Sequence, residues 1–364
     1  MRKNSSKISL VIKVAGAGPA PVHEMTPSSQ IKIDTRHLRR ALELAQRGAG
    51  LTLPNPCVGA VLVRGNKIIG EGFHQRAGGP HAEVLAVADA KKRRHTVAGA
   101  TLYVTLEPCS THGRTPPCTD LILREKIARV VFAATDPNPA HAGAAARLLR
   151  AHNVKVSSGL LANEAAAINR DFNWWMTRRR PWVVAKIALS LDGRIVAPPS
   201  DNRWLTSPAA RKVAHELRWK SDAILIGAET ARTDNPHLTV RLPGHRGKLQ
   251  PWRVVVTRSG NLSRKLHLFS DRHRDRTLVF QKQSLTEIMA TLGALEVSHV
   301  LIEGGGKILT EAFRAELVNE VAFFIAPAVM GTSSRTLEKL PAPLHLREFS
   351  YTSIGPDLFC RGLV

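Results

Sequence analysis

One histidine, one glutamate and two cysteines constrain this chain more than its length or composition does. They stand in PHAEV at 80–84 and LEPCSTHGRTPPC at 106–118. His81, Cys109 and Cys118 can hold one Zn²⁺ as three protein ligands and leave a fourth position for water, which is what a catalytic zinc site requires. Glu83, two residues beyond His81, is not needed as a ligand. It can take a proton from the attacking water and pass it to a leaving nitrogen, the arrangement of nucleobase deaminases. The Cys-x8-Cys spacing departs from the Cys-x2-Cys of the usual deaminase signature and so narrows the branch. Two blander readings compete with this one. A structural zinc site closed by His74 or His112 would leave the acid at position 83 without a purpose, and a plain helix start beside two buried cysteines would leave the whole constellation to chance.

The chain has 364 residues, above the size at which single cores stop growing, so two domains are expected. Its 43% hydrophobic content is enough to build both. Four cysteines, at 57, 109, 118 and 360, are too few and too scattered for a disulfide scaffold, which fits a reducing, cytoplasmic setting. No apolar run reaches the length of a membrane span. The short apolar segment Ile8–Val14 is broken by Lys13 and does not read as a secretory signal. A formal charge of +23 draws polyanions and phosphorylated metabolites alike. Runs such as Lys91–Arg94 and Arg178–Arg180 read as solvated faces or domain edges, and with aromatics at 5% no stacking platform for single-stranded bases is present. No obligatory nucleic-acid partner and no membrane are therefore expected.

Residues 1–33, rich in Gly, Pro and Ser, read as a disordered extension. Asp34 is placed to cap a helix over 35–47 that Gly48 ends. LPNPCVGAVLV at 53–63 is a rigid turn feeding a strand, and Asn55 in that turn offers a donor and an acceptor to the edge of a heterocycle. A strand over Lys67–Gly72, a helix over His81–Lys91 and a strand over Thr101–Leu106 follow. Pro117–Glu125, Val130–Ala134, Gly143–His152 and Val154–Ser157 then alternate helix and strand, which argues for a mixed sheet covered by helices. Beyond a junction near Thr177–Pro181, strands are expected at Trp182–Ala188, Ala223–Gly227, Arg253–Thr257, Thr277–Phe280, His299–Glu303 and Val321–Ala326. Helices are expected at Pro208–Trp219 and Lys307–Ala315. Gly304–Gly306 falls between a strand and a helix, where backbone N–H groups can approach a cofactor phosphate, although GxGxxG is absent. Arg218 and Arg241 suit a phosphate; Asp234 suits proton delivery or, equally, a turn at TDNP.

Several of these stretches together resemble a known family. PNPCVGAV at 54–61, PHAEV, LEPCSTHGRTPPC and DPNPAHAG at 136–143 are similar to the deaminase half of the bifunctional riboflavin-biosynthesis deaminase–reductases. AKIALSLDGRI at 185–195, RWLTSPAAR at 203–211, LRWKSDAILIG at 217–227, TARTDNPHLTVR at 230–241 and LIEGGGKI at 301–308 resemble the reductase half. The resemblance implies an α/β chain of two domains. Residues 34–178 would form a cytidine deaminase-like three-layer α/β/α unit, and 179–364 a dihydrofolate reductase-like α/β unit.

It further implies zinc on His81, Cys109 and Cys118, acid–base catalysis by Glu83, and Asn55 in the pyrimidine pocket. NADPH would lie against Ala188, Trp204, Thr230, Asp234, Gly304, Gly305 and Gly306, with Asp234 also catalytic. Substrate would meet Asn202, Arg218, Leu238, Arg241 and Glu303. The implied activity is deamination of 2,5-diamino-6-(5-phosphoribosylamino)pyrimidin-4(3H)-one and reduction of the ribosyl chain to give 5-amino-6-(5-phosphoribitylamino)uracil, a phosphorylated small-molecule chemistry in a chain that can also form a homo-oligomer. Thr111, where the family commonly has His, and the divergent loop at 198–204 depart from the pattern. A nucleic-acid base deaminase and a non-catalytic metabolite-binding protein are the alternatives.

Overall fold

The computed structural model describes residues 27–112, 116–195, 204–242, 249–331, 340 and 342–364. Two sheets organise them. The first belongs to α1 (Pro27–Gln46), β1 (Gly59–Arg64), β2 (Lys67–Phe73), α2 (Ala82–Lys92), β3 (Thr101–Leu106), α3 (Cys118–Arg124), β4 (Arg129–Ala134), α4 (Ala144–Ala151), β5 (Lys155–Ser158), α5 (Ala162–Ile168) and α6 (Arg170–Arg178). Its strand order is β2-β1-β3-β4-β5, with β1 antiparallel to both neighbours and β3, β4 and β5 parallel. Successive side chains of a strand point to opposite faces. Ala60 and Leu62 of β1 accordingly pack with Ala86 of α2, Ile122 of α3 and Leu149 of α4, whereas Val61 and Val63 pack with Leu38 of α1 and Ala165 of α5. The result is a three-layer α/β/α unit.

The helix ahead of this sheet starts earlier than expected. α1 begins at Pro27, a residue suited to the first helical position. Residues 27–33 are thus its first turns, and residues 1–26 of the expected extension lie outside the described residues. Asp34 is no cap: it is buried within the helix on the face that also buries Leu38, Ala41 and Ala45. Two glycines on β2 set how closely α2 approaches the sheet. A Cβ on Gly70 would lie 2.3 Å from the Ala86 carbonyl oxygen, and one on Gly72 would lie 2.5 Å from that of Ala82. The first turn of α2, which follows His81, therefore sits directly on the strand.

The second sheet belongs to β6 (Trp182–Ser190), α7 (Pro208–Trp219), β7 (Ala223–Gly227), α8 (Ala228–Asp234), β8 (Trp252–Thr257), α9 (His267–Ser270), β9 (Thr277–Gln281), α10 (Leu285–Ala294), β10 (His299–Glu303), α11 (Gly306–Arg314), β11 (Glu320–Ala326), β12 (Arg347–Ile354) and β13 (Asp357–Leu363). Its order is β12-β13-β11-β6-β10-β7-β8-β9. The strands from β11 to β9 in that order are parallel, and the β12–β13 hairpin is added antiparallel at one edge. Expected strands and helices recur here within a few residues. α8, α9, α10, β12 and β13 have no counterpart in the sequence reading. TDNP is the end of α8 with Asn235 left-handed after it, Ser284 and Glu287 form a capping box that starts α10, and β12 is exposed along its length, Phe349 and Tyr351 included.

Candidate active sites

Helix starts deliver the metal-ligand candidates of the first domain. His81 is the N-cap of α2, and Cys118 is the first residue of α3. Cys109 lies in the loop between β3 and α3, where its sulfur accepts the Cys118 N–H at 3.2 Å. His81 Nδ1 is 3.5 Å from Cys109 Sγ and 3.3 Å from Cys118 Sγ, and the three donor atoms lie within 4.8 Å of one another. Tetrahedral zinc with ordinary Zn–S and Zn–N bonds separates such donors by about 3.5 Å, so the residues present fit the ion. The Cys109 thiol is held below the ordinary thiol value, first by the hydrogen bond from Cys118 and also by His81, while that same hydrogen bond and burial push the Cys118 thiol up. The lowering at Cys109 favours the thiolate a metal needs.

Glu83 stands in the first turn of α2, buried, and lines the same cavity as His81 and Cys109. Burial pushes its carboxyl above the ordinary carboxylate value, His81 opposing the shift. A raised carboxyl is what proton transfer near neutral pH calls for. The cavity measures about 390 Å³ and also admits Asn55, Thr111 and Asp136.

His74 has a different task from the ligand role weighed for it. Its Nδ1 lies 3.0 Å from the Pro80 carbonyl oxygen, which can only accept, so Nδ1 carries the proton. Burial lowers its pKa, in keeping with a neutral ring. Nε2 then accepts from the Asn55 amide at 3.1 Å and fixes that side chain against the turn. The ring also meets His81 edge-on at 5.6 Å between centroids. His112 is exposed and stands outside the donor cluster.

In the second domain the residues gather at the carboxyl ends of parallel strands, where open α/β sheets bind ligands. Ala188 lies near the end of β6, Thr230 follows β7 on α8, and Gly304–Gly306 follow β10. The Gly305 N–H donates to the Thr230 hydroxyl at 3.2 Å, which ties the glycine loop to α8. A Cβ on Gly304 would fall 2.5 Å from Ile308 Cγ2, so the loop hugs α11. A glycine loop at the start of a nine-residue helix fits a nicotinamide dinucleotide phosphate. Trp204 is exposed under the Arg211 guanidinium. Asn202 lies outside the described residues.

Beside this loop lies a charged cluster. Arg218 of α7 makes a two-pronged ion pair with Glu303, at 2.5 and 2.8 Å. Burial would raise Glu303, but Arg218 and then Lys186 hold it down at about 2. Lys186 stands beside Glu303 in the register of β6 and β10, and burial pushes its ammonium below the ordinary lysine range. Sequence reasoning missed Lys186. Arg241 reaches the Thr239 hydroxyl at 3.2 Å, whereas Leu238 buries its side chain among Ile224, Ile226 and Val255 and leaves only its backbone to a ligand. Asp234, half-buried, ends α8.

Fold and sites together define a two-domain enzyme: a zinc-binding deaminase unit followed by a nucleotide-dependent reductase unit. Residues 31–134 match the family model of the cytidine and deoxycytidylate deaminase zinc-binding region, and residues 181–360 match the RibD C-terminal domain. The chain is 38% identical to the riboflavin biosynthesis protein RibD of Escherichia coli strain K12, covering 91% of this chain and 99% of that one. To RibD of Aquifex aeolicus it is 36% identical, over 90% of this chain and 97% of that protein. The structure of the diaminohydroxyphosphoribosylaminopyrimidine deaminase/5-amino-6-(5-phosphoribosylamino)uracil reductase from Thermotoga maritima superposes with a TM-score of 0.81 at 35% identity, covering 91% of this chain and 99% of that one. The chain belongs to the RibD family of bifunctional riboflavin-biosynthesis deaminase–reductases.

Metal analysis of the purified protein should find about one zinc per chain, and Cys109→Ser should lose most of it, because two ligands do not hold a catalytic ion. Stoichiometric zinc in the Cys109→Ser protein would reject Cys109 as a ligand.

Proposed function

We propose that the first domain removes the 2-amino group of 2,5-diamino-6-(5-phosphoribosylamino)pyrimidin-4(3H)-one as ammonia, and that the second reduces the ribosyl chain to ribityl with NADPH. The reading is carried by one observation: Glu83 shares a cavity of about 390 Å³ with the His81–Cys109–Cys118 cluster. Zinc, when bound, makes water a nucleophile at neutral pH. Asn55, fixed by His74, orients the ring edge. Glu83 accepts the proton of the water that attacks C2 and returns it to the departing amino nitrogen. Burial raises its carboxyl above the ordinary carboxylate value, towards the neutral range where one group can both accept and return a proton.

In the second domain NADPH, when bound, would supply a hydride to C1′ of the ribosylamine, whose C1′–O4′ bond breaks so that O4′ becomes the new hydroxyl. Arg218, locked on Glu303, and Arg241 present positive charge to the substrate phosphate, and Lys186 or Asp234 delivers the proton that the new hydroxyl needs. The same residues support a phosphorylated small molecule as substrate rather than a nucleic acid, and four scattered, unpaired cysteines support a cytosolic enzyme. The described residues contain no helix long and apolar enough to cross a membrane. A boundary at 178/179 is supported by the end of α6 and the start of β6 on its two sides.

A coupled assay tests this reading. Wild-type protein should release ammonia from the pyrimidine without NADPH and consume NADPH only once the deaminated product is present. Asp234→Ala should still deaminate while its NADPH consumption falls at least ~10²-fold. A folded Asp234→Ala protein that reduces as fast as wild type removes Asp234 from the chemistry. RNA binding that collapses with added salt, without turnover of the pyrimidine, would favour a nucleic-acid deaminase instead.

A further inference from the structure

The cavity around Glu83 is not built by the first domain alone. Its wall carries Phe172, Trp175 and Met176 from α6, and Glu296 from the segment that follows α10 in the second domain. α6 is pinned near both ends. Asn169, the residue before it, accepts the Cys57 N–H at 2.7 Å and donates to the Cys57 carbonyl at 2.9 Å, two residues beyond Asn55. Towards its other end the Trp175 indole donates to the Gly293 carbonyl of α10 at 3.0 Å. A Cβ on Gly293 would fall 2.3 Å from the Arg179 carbonyl oxygen, so α10 meets the backbone just past α6 directly. A second indole, that of Trp219 on α7, donates to the Ala49 carbonyl at 3.0 Å. Glu296 is therefore carried into the deaminase cavity by a docked element.

The chemistry of the cavity separates its floor from its rim. The ring must reach Glu83, which is buried, so the substituents of the ring leave towards the mouth, where Glu296 is exposed. A carboxylate only accepts hydrogen bonds and repels phosphate. Of the groups on a phosphopentose, it suits the hydroxyls. We propose that Glu296 of the reductase domain is a specificity-determining residue of the deaminase pocket, its carboxylate accepting hydrogen bonds from the pentose hydroxyls of the substrate. The inference rests on the pentose-bearing substrate of the preceding subsection, and it ties the first reaction to the presence of the second domain.

Full-length Glu296→Ala and Glu296→Gln proteins test it by steady-state deamination. With the phosphoribosylaminopyrimidine, Glu296→Ala should raise KM about tenfold, the loss expected for hydrogen bonds to a charged acceptor, and leave kcat unchanged. Glu296→Gln, which keeps one acceptor oxygen, should recover part of that loss. 2,5,6-Triaminopyrimidin-4-one, which lacks the pentose, should be handled alike by wild type and Glu296→Ala, and reduction of the deaminated product should be unaffected. An unchanged KM in Glu296→Ala, or an equal loss with the pentose-free compound, overturns the inference alone. Wild-type protein that deaminates only the pentose-free compound overturns the substrate reading and the inference with it.

Discussion

Glu83→Gln is expected to keep its zinc and to release ammonia at least ~10²-fold more slowly than wild type, since a positioned acid–base group contributes 10²–10⁴-fold. The amide matches the carboxylate in shape, so the first turn of α2 can keep its place on β2, with His81, Cys109 and Cys118 undisturbed. What is lost is the ability to take a proton from water and return it to nitrogen. Burial already penalises the charged form of Glu83, so a neutral amide should not lower the melting temperature. Reduction of the already deaminated substrate should continue at the wild-type rate, because Lys186, Arg218 and Glu303 belong to the other domain. Near wild-type ammonia release from a zinc-loaded Glu83→Gln protein would remove Glu83 from the mechanism.

The metal cluster was legible in the sequence because its donors sit at places that local rules define. Pro80 and Pro117 precede His81 and Cys118 at helix starts, and the apolar run of β3 aims the chain towards Cys109. Strand order was not written there in the same way. It depends on which runs pair, and the aromatic face of β12, Phe349 and Tyr351, stays exposed, so no buried face specifies its partner. The walls of the deaminase cavity were hidden for a related reason. Phe172 and Met176 stand one helical turn apart, and α6 is held at the pocket by distant partners, Cys57 on Asn169 and Gly293 on Trp175.

Lys186 illustrates the limit most plainly. Within AKIALSLDGRI it is one polar residue in an apolar strand, which local pattern assigns to a solvated face. The register of β6 with β10 sets it beside Glu303, and α7 brings Arg218 to the same place. Three charges from separate segments thus form one cluster. Resemblance supplied Arg218 and Glu303, but the pairing between them is a property of the fold. It also leaves less of Arg218 for a ligand, because two of its nitrogens already serve Glu303 and a third donates to the Thr239 carbonyl.

Asp34 was misread by the same local logic, and its replacement should be costly. A helix cap exchanged for Asn keeps nearly all its stability, since both residues cap well. Asp34 instead accepts from the Arg129 guanidinium at 2.6 and 2.8 Å and from the Tyr103 hydroxyl at 2.8 Å, at a site shielded from water. Removing one partner of a buried pair strands the other, at a cost of about 3–5 kcal/mol. Arg129 keeps a fifth of its side chain exposed, so Asp34→Ala should lose somewhat less, about 2–3 kcal/mol, in denaturant unfolding at pH 7. Its pH dependence carries a sign. Burial pushes the Asp34 carboxyl up, but hydrogen bonds from Arg129, Gln30 and Tyr103 outweigh it and leave the folded value below the ordinary one. The contribution is then fully present above the unfolded value of about 4 and is lost as pH falls through the folded value. The gap between wild type and Asp34→Ala should stay constant from pH 7 down to about 4 and narrow only below it. An Asp34→Ala protein as stable as wild type at pH 7 would show that the Arg129 pair contributes nothing, and a gap that widens in acid would reverse the assigned shift.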